Sequence, residues 1–275
     1  MDGQGNNGAL AALESELTDR GAIGAEDVLR LRRAIYRNGS IGREEAACLL
    51  RLERADAARD PAFEEFFVEA LSDYYIWSRG RRGLDQREVP ELIKALGATG
   101  RPLDEGGGLR LVIKIIAETD GGCPDELRAF ALQAVRRSVL HGERALFGKG
   151  PRRPGVIDAA DVEIVRRIIY GTGGENGLAI SRPEAELLFD LNDATATEEN
   201  APAWRDLFVK AITMHVLFSG DSPERVDEPE ARWLIERIGA DGREHGNEAA
   251  LLRYLRREAY ALHPMLEPLC RRFGA

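Results

Sequence analysis

The chain has 275 residues, of which 44% are hydrophobic and 31% charged, a composition typical of globular proteins that bury a core. Its net charge of −9 disfavours binding to nucleic acid, since a phosphate backbone requires a basic footprint. The cysteines, Cys48, Cys123 and Cys270, are far apart in sequence, which disfavours a disulfide framework and a thiolate metal site. Neither a signal peptide nor a membrane-spanning run is predicted, and we expect a cytoplasmic location.

Apolar residues recur with helical spacing along most of the chain, and no useful stretch alternates with period two. Residues 1–8 are rich in Gly and Asn, a composition that predicts disorder. In the first half, helices are expected at residues 9–17, 25–37, 43–54, 63–77, 86–96, 109–118 and 125–140. In the second half, they are expected at residues 159–170, 183–191, 203–218, 230–238 and 248–262. The predicted fold class is therefore all-α.

The chain contains an internal repeat. Residues 21–36 and 155–170 share nine of sixteen aligned positions, including an Arg pair and a closing Tyr. The match continues along the chain at nearly constant spacing, for example from Phe67 to Phe208, with small steps that fall in predicted loops. We therefore predict an internally duplicated helix-loop-helix bundle with two pseudo-equivalent halves. The first half spans residues 9–140, a linker spans 141–154, and the second half spans 155–275; the linker sequence, HGERALFGKGPRRP, predicts an exposed segment.

One loop pattern precedes several predicted helices. A glycine and an isoleucine are followed by an acid four residues after the isoleucine, as in Gly21, Ile23 and Asp27. The same pattern recurs at residues 39–45 and 155–161, and its apolar residue and acid recur in three further loops.

This pattern resembles the second half of an EF-hand loop. In that family the glycine allows the sharp turn, the isoleucine pairs with its partner loop, and the acid is the bidentate calcium ligand. The resemblance implies calcium, or another metal, at the loop with the most oxygen ligands, where Ser219, Asp221, Asp227 and Glu230 are the candidate ligands. The early ligand positions of the other loops mostly hold residues that lack a side-chain oxygen.

The chain also looks like the TerB-like proteins of the tellurite-resistance type, which are all-helical and duplicated. Residues 208–238, with LFSGD followed by VDEPEARWLIERIG, resemble the apolar helix, polar turn and acidic helix start of that group. This resemblance implies metal binding and a role in stress response.

The recurring acid has a second interpretation. Ser181 and Glu184, like Asp227 and Glu230, have the spacing of a helix-start signature. In such a signature the first residue caps free N–H groups, and the acid favours the positive end of the helix. Capping therefore explains the acid without a metal.

Two repeated features of the opening helix also have two interpretations. The Arg pairs at residues 32–33 and 166–167 are either anion-binding forks or pairs that stabilise a helix C-terminus. Tyr36 and Tyr170 lie on the apolar face of this helix, and we expect core positions with one polar tip.

Motifs for catalysis are absent from the sequence. The four histidines lack metal-ligand spacing, and His215, on an apolar helix, is expected to be a core residue. The glycines at residues 106–108 lack the lysine of a phosphate loop and predict a flexible connector.

These patterns favour a non-enzymatic binding or interaction protein, whose helical pairs offer grooves for a protein partner. The alternative is a calcium- or metal-responsive protein that uses the loop at residues 219–230. An enzyme is least favoured, because no acid–base pair or nucleophile stands out. We expect no cofactor other than calcium, no nucleic-acid partner and no membrane insertion.

Overall fold

A computed structural model describes residues 3–77, 83–84, 86–97, 103, 106–119, 123–142, 151–171, 180–218, 223–239, 243 and 245–275. Regular structure in these residues is almost entirely helical, which confirms the all-α fold class. The chain divides into two compact units, Met1–Ala134 and Val135–Ala275. None of the helices in the described ranges combines the length and apolar character needed to cross a membrane.

Unit 1 is built from helices joined by short loops. Its helices are α1 (Gly3–Arg20), α2 (Ala25–Ile35), α3 (Arg43–Arg54), α4 (Pro61–Ser72), α5 (Val89–Gly97), α6 (Gly107–Glu118) and the first part of α7 (Asp125–His141). A π-helical segment, Asp73–Trp77, continues α4. Strands β1 (Ala22–Ile23) and β2 (Ala58–Arg59) pair in parallel, with Ala22 opposite Ala58.

Unit 2 is also built from helices with a pair of short strands. After the end of α7, its helices are α8 (Ala159–Tyr170), α9 (Arg182–Ala194), α10 (Pro202–Phe218), α11 (Glu228–Arg237), α12 (Gly246–Glu258) and α13 (Glu267–Arg272). Strands β3 (Arg225–Val226) and β4 (Ala261–Leu262) again pair in parallel, and a 3₁₀ turn, Pro264–Leu266, precedes α13. The strands lie at different places in the two units, before the central helix α4 in unit 1 and after α10 in unit 2, and duplication remains a prediction from the sequence.

Each unit has its own core around one long apolar helix. In unit 1, α4 buries Phe63, Phe66 and Phe67 completely, and α2 and α6 pack on it. In unit 2, α10 buries Trp204 and Phe208 and contacts α8, α9 and α12.

The four short strands were not predicted. Each has two residues, too few to show an alternating pattern, so tertiary pairing alone defines them. For the same reason the helix expected at residues 248–262 is too long: α12 ends at Glu258, and Ala261–Leu262 pairs with β3.

The predicted disorder of residues 1–8 is wrong for residues 3–8. Helix α1 begins at Gly3, where glycine and asparagine have low helix propensity. Leu10, Leu13 and Leu17 of the same helix are buried, so tertiary packing of these leucines supports the helix. Residues 1–2 lie outside the described part of the chain.

The glycines at residues 106–108 are not a flexible connector. Gly106 is the N-cap of α6, and Gly107 and Gly108 are buried in its first turn. A Cβ at Gly107 would lie 2.7 Å from Phe67 Cδ1, so the missing side chain lets α6 approach α4 closely.

The predicted linker at residues 141–154 agrees only in part with the structure. Residues 143–150 lie outside the described part of the chain, and the division between the units falls within α7, before this segment. Arg152 is buried in unit 2, with only 2% of its side chain exposed, so the predicted exposure is wrong at this residue. Its burial is explained by a carboxylate partner, described below.

Candidate functional site

The predicted metal ligands are only partly described. Ser219 and Asp221 lie outside the described residues. Asp227 is the N-cap of α11, and Glu230 is in the first turn of that helix. The side chain of Asp227 makes no capping hydrogen bond. In the ranges that the structure covers, His, Cys, Asp and Glu nowhere form a group of three or more that could hold a metal.

The acids of the other recurring loops serve as helix caps. Asp27, Glu45, Asp161 and Glu184 each accept a hydrogen bond from the N–H of the residue that caps the helix, at 2.9, 3.1, 2.9 and 2.8 Å. The place of the acid in the helix start is therefore confirmed for these four loops, whereas among the four N-cap residues only Asp158 also caps the helix with its side chain.

The apolar residue of the pattern anchors the loop. Ile23, Ile157 and Val226 are buried, and their carbonyl oxygens accept the N–H groups of Asp60, Ala201 and His263 at 2.8, 2.8 and 2.9 Å. Each of these donors directly precedes the third helical segment after its acceptor: α4, α10 and the 3₁₀ turn. The loop pattern thus encodes a structural junction, which the described residues show at Ile23 in unit 1 and at Ile157 and Val226 in unit 2.

Sequence reasoning missed an arginine at two of these junctions. The Arg152 guanidinium pairs with the Asp161 carboxylate, one contact being 3.0 Å, and donates to the Val156 carbonyl. Arg20 pairs in the same way with Asp27 and donates to the Ala22 carbonyl. The Arg152–Asp161 pair is almost completely buried, so it stabilises the loop and does not face a ligand.

The Arg pair and the Tyr of α2 are engaged inside unit 1. Arg32 makes two hydrogen bonds to Glu69, at 2.7 and 2.6 Å, and stacks over Phe66. The Tyr36 hydroxyl donates to Asp73 at 2.5 Å. Arg32 is not available to a free anion, because its guanidinium is occupied by a carboxylate.

The same positions of unit 2 are not engaged. Aligning α4 with α10 from their shared Pro-Ala start places Lys210 at the position of Glu69 and Met214 at the position of Asp73. Arg166 pairs instead with Glu163 of its own helix, at 3.3 Å. Within the described residues, the exposed Lys210 ammonium makes no ion pair and the half-buried Tyr170 hydroxyl makes no hydrogen bond, although Arg166 and Tyr254 lie close enough to affect the pKa of Tyr170.

A third position shows the same difference. Ser72 of α4 donates its hydroxyl to the Val68 carbonyl at 2.5 Å. Thr213, at the matching position of α10, is 4% exposed, and its hydroxyl has no hydrogen-bond partner in the described chain. Most buried hydroxyls are hydrogen-bonded, so this hydroxyl requires an explanation.

These residues surround a cavity of about 350 Å³ in unit 2, which we call the α10 cavity. Its walls come from the C-terminal parts of three helices and from the loop before β3. They are Tyr170 of α8, Lys210, Thr213, Met214, Leu217 and Phe218 of α10, Tyr254 and Glu258 of α12, and Glu224. The volume lies at the lower end of the range for small-molecule sites.

Glu224 has an unusual backbone conformation. Its φ of 63° is the only positive value at a non-glycine residue in the described part of the chain. Two backbone hydrogen bonds hold this conformation, from Glu224 N–H to the Leu217 carbonyl and from Tyr260 N–H to the Glu224 carbonyl. Such strained residues are enriched at functional sites, and here the strain places an acid at the cavity wall.

Another cavity, of about 380 Å³, lies in unit 1. Its charged lining includes Arg43 and Glu91, which lie 3.8 Å apart, and Arg87 and Glu88, both of which have interactions within the chain. These charged groups have partners already, unlike Lys210 and Thr213 of the α10 cavity.

His215 is a structural residue. Its Nδ1 lies 2.7 Å from the Ile180 carbonyl oxygen, and its ring packs edge-on against Trp233. Burial lowers the pKa of His215 from its ordinary value, which favours the neutral ring. The predicted core role agrees with these contacts.

The charge difference between Glu69 and Lys210 was readable from the aligned halves. The structural consequence of this difference was not readable from the sequence, because only the structure shows that Glu69 is paired and that Lys210 lines a cavity.

Comparison of the chain with family models, with curated proteins and with solved structures found no match.

Proposed function

We propose that this chain is a non-enzymatic binding protein and that the α10 cavity is its binding site. One observation carries the proposal: polar positions that are paired within unit 1 lack partners in unit 2, where they line a cavity. Unit 2 thus differs from unit 1 at the positions where binding would take place.

The physical argument concerns the cost of unpaired polar groups. A buried hydroxyl without a hydrogen bond costs about 1–3 kcal/mol. Thr213 carries such a hydroxyl. Tyr170 is only half-buried, and an aspartate at the position of Met214 would give its hydroxyl a partner, as Asp73 does for Tyr36. A partner from outside the chain would satisfy the same groups, so the defect is consistent with a site that is completed by its ligand.

Binding is favoured over catalysis by the chemistry of the lining. Burial, above all, raises the pKa of Tyr170, so its phenol stays protonated and donates a hydrogen bond instead of accepting a proton. Neither histidine nor cysteine is among the described residues that line the cavity. The groups present orient a ligand, and none is an activated nucleophile or base.

A protein partner remains part of this proposal. Phe218 lines the cavity and is 55% exposed, so the apolar wall continues to the surface of unit 2. A side chain of a partner could enter the cavity from that surface. We infer a cytoplasmic location from the three free cysteines, of which Cys48 and Cys270 are buried.

The proposal is tested by placing the carboxylates of unit 1 at the matching positions of unit 2. The double variant Lys210→Glu/Met214→Asp introduces carboxylates that can pair with Arg166 and Tyr170, so we expect a folded protein with a filled site. Fragments of anionic, neutral and cationic character are screened by two-dimensional NMR against wild type and variant. We expect some fragments to shift the amide signals of residues 210–218 in the wild type and not in the variant. If no fragment of any charge class shifts them, or if the variant binds equally well, the proposal is wrong.

Calcium response is a second candidate function. It is favoured by Asp227, whose carboxylate is not used for capping, and by Glu230 in the same helix turn. Calcium at 5 mM should then raise the melting temperature, because selective binding to the folded state stabilises it. The gain should disappear in Glu230→Gln. An unchanged melting temperature in the wild type would exclude this function.

A further inference from the structure

Three groups that line the α10 cavity, and that have no partner in the described part of the chain, are hydrogen-bond donors. They are the Lys210 ammonium, the Thr213 hydroxyl and the Tyr170 phenol. Lys210 and Thr213 are three residues apart on α10 and therefore lie on the same helix face. Tyr170 reaches the same cavity from α8. Three donors, one of them cationic, match the oxygens of a carboxylate.

The remaining wall is apolar. Met214 and Leu217 continue the donor face of α10 along the helix, and Phe218 and the Tyr254 ring add aromatic surface. A ligand that satisfies the donors through one end would bury an aliphatic or aromatic body against this wall. At about 30 Å³ per water, the cavity has room for about a dozen water-sized atoms.

Two acids also line the cavity and have to be accounted for. Glu258 is paired with Arg257 at 2.8 Å, so its charge is largely balanced. Glu224 is exposed and has no ion pair with any residue in the described ranges. Its carboxylate would repel a second anionic group on the ligand and would attract an ammonium. The site is therefore suited to a single carboxylate, with or without an amine.

We infer that the α10 cavity binds a small organic monocarboxylate with an apolar body, its carboxylate held by Lys210, Thr213 and Tyr170. This inference rests on the proposed binding function and specifies its ligand class. A zwitterionic amino acid and a simple fatty or aromatic acid share this chemistry, and Glu224 distinguishes them.

The test compares ligands that differ only in the polar group. Hexanoate, hexan-1-ol and hexylamine have the same unbranched six-carbon skeleton, and 2-aminohexanoate adds an amine to the acid. Each is titrated into the full-length protein, and the amide shifts of residues 210–218 are followed by NMR. We expect hexanoate or 2-aminohexanoate to bind with a dissociation constant on the order of 1 mM, since small ligands gain limited free energy per atom.

The two acids separate the possible sources of the carboxylate. Tighter binding of 2-aminohexanoate, lost in Glu224→Gln, would support an amino acid as the ligand. Equal or tighter binding of hexanoate would support a simple carboxylic acid. Either result supports the inference, whereas preferential binding of the alcohol or the amine overturns it and leaves the binding function intact. Binding only by a protein segment, in a pull-down with the full chain, overturns it as well.

Two variants test the donors directly. Lys210→Met should weaken carboxylate binding about tenfold or more, as expected for the loss of a charge-assisted hydrogen bond. Thr213→Val should also weaken binding, yet it should raise the melting temperature of the free protein by about 2 °C, because it removes an unpaired buried hydroxyl. A purely structural threonine would not couple these opposite effects.

The matched position of unit 1 provides the control. Ser72→Ala removes a hydroxyl that is already bonded to the Val68 carbonyl, so it should lower stability and leave carboxylate affinity unchanged. If Thr213→Val and Lys210→Met bind hexanoate and 2-aminohexanoate as tightly as the wild type, the assigned donors are wrong.

Discussion

At the scale of single residues, the same acid has different surroundings in different loops. Asp27 and Asp161 both cap a helix and pair with an arginine that also holds the preceding loop. The side chain of Arg20 is 45% exposed, whereas that of Arg152 is 2% exposed. Burial therefore makes the Arg152–Asp161 pair much more sensitive to substitution than its counterpart.

We predict that Arg152→Met lowers the free energy of unfolding by about 3–5 kcal/mol, because it leaves the Asp161 carboxylate buried without its cation. Arg20→Met should cost about 1 kcal/mol or less, because solvent screens an exposed pair. Both values are measured by urea denaturation at pH 7.

The neighbouring Arg153 is the control. Its side chain is 71% exposed and pairs with Glu198 at 2.7 Å, so Arg153→Met should change stability by less than about 0.5 kcal/mol. Comparable losses for Arg152→Met and Arg153→Met would show that the buried pair has no special role.

At the scale of elements, α4 and α10 occupy matching places in their units but have different neighbours at matching positions. Both begin with Pro-Ala, and both are the central helix of their unit. On α4, the positions that face α2 hold carboxylates, which bond to Arg32 and Tyr36. On α10, those positions hold Lys210 and Met214, and a cavity lies between the helices.

The close approach of α6 and α4 leads to a second prediction. Gly107→Ala should destabilise unit 1 by about 1–3 kcal/mol, because the new methyl group would overlap the Phe67 ring. This cost exceeds the gain in helix propensity, which is about 1 kcal/mol at most. Thermal and urea unfolding of the variant measure the difference.

Gly246, the first residue of α12, is the matched control. A Cβ at Gly246 would meet no atom within 4 Å, so Gly246→Ala should be neutral or stabilising by up to about 1 kcal/mol. If Gly107→Ala is equally well tolerated, the glycine is not required for helix packing.

At the scale of the whole molecule, net charge limits the possible partners. The chain carries a net charge of −9, which opposes association with another polyanion. We predict no shift of a 30-base-pair DNA or a single-stranded RNA in a gel assay at 50 mM salt with about 10 µM protein, where typical non-specific binders form complexes. A salt-sensitive shift at that concentration would contradict this expectation.

The sequence by itself determined the fold class, most helix positions and the capped helix starts. These features depend on local spacing, such as the apolar stripe of Val28, Leu31 and Ile35 or the acid in the first turn. The pairing of two-residue strands, the helical N-terminus and the burial of Arg152 depend on residues distant in sequence, and local spacing carries no signal for them.

The candidate site falls between these two cases. The exchange of Glu69 for Lys210 is visible in the sequence, because the aligned halves place the two residues together. Only the tertiary structure decided what the exchange means, since hydrogen bonding and cavities depend on which helices meet. The structure shows a paired Glu69 in unit 1, and in unit 2 an unpaired Lys210, within the described chain, that lines a cavity with Thr213 and Tyr170.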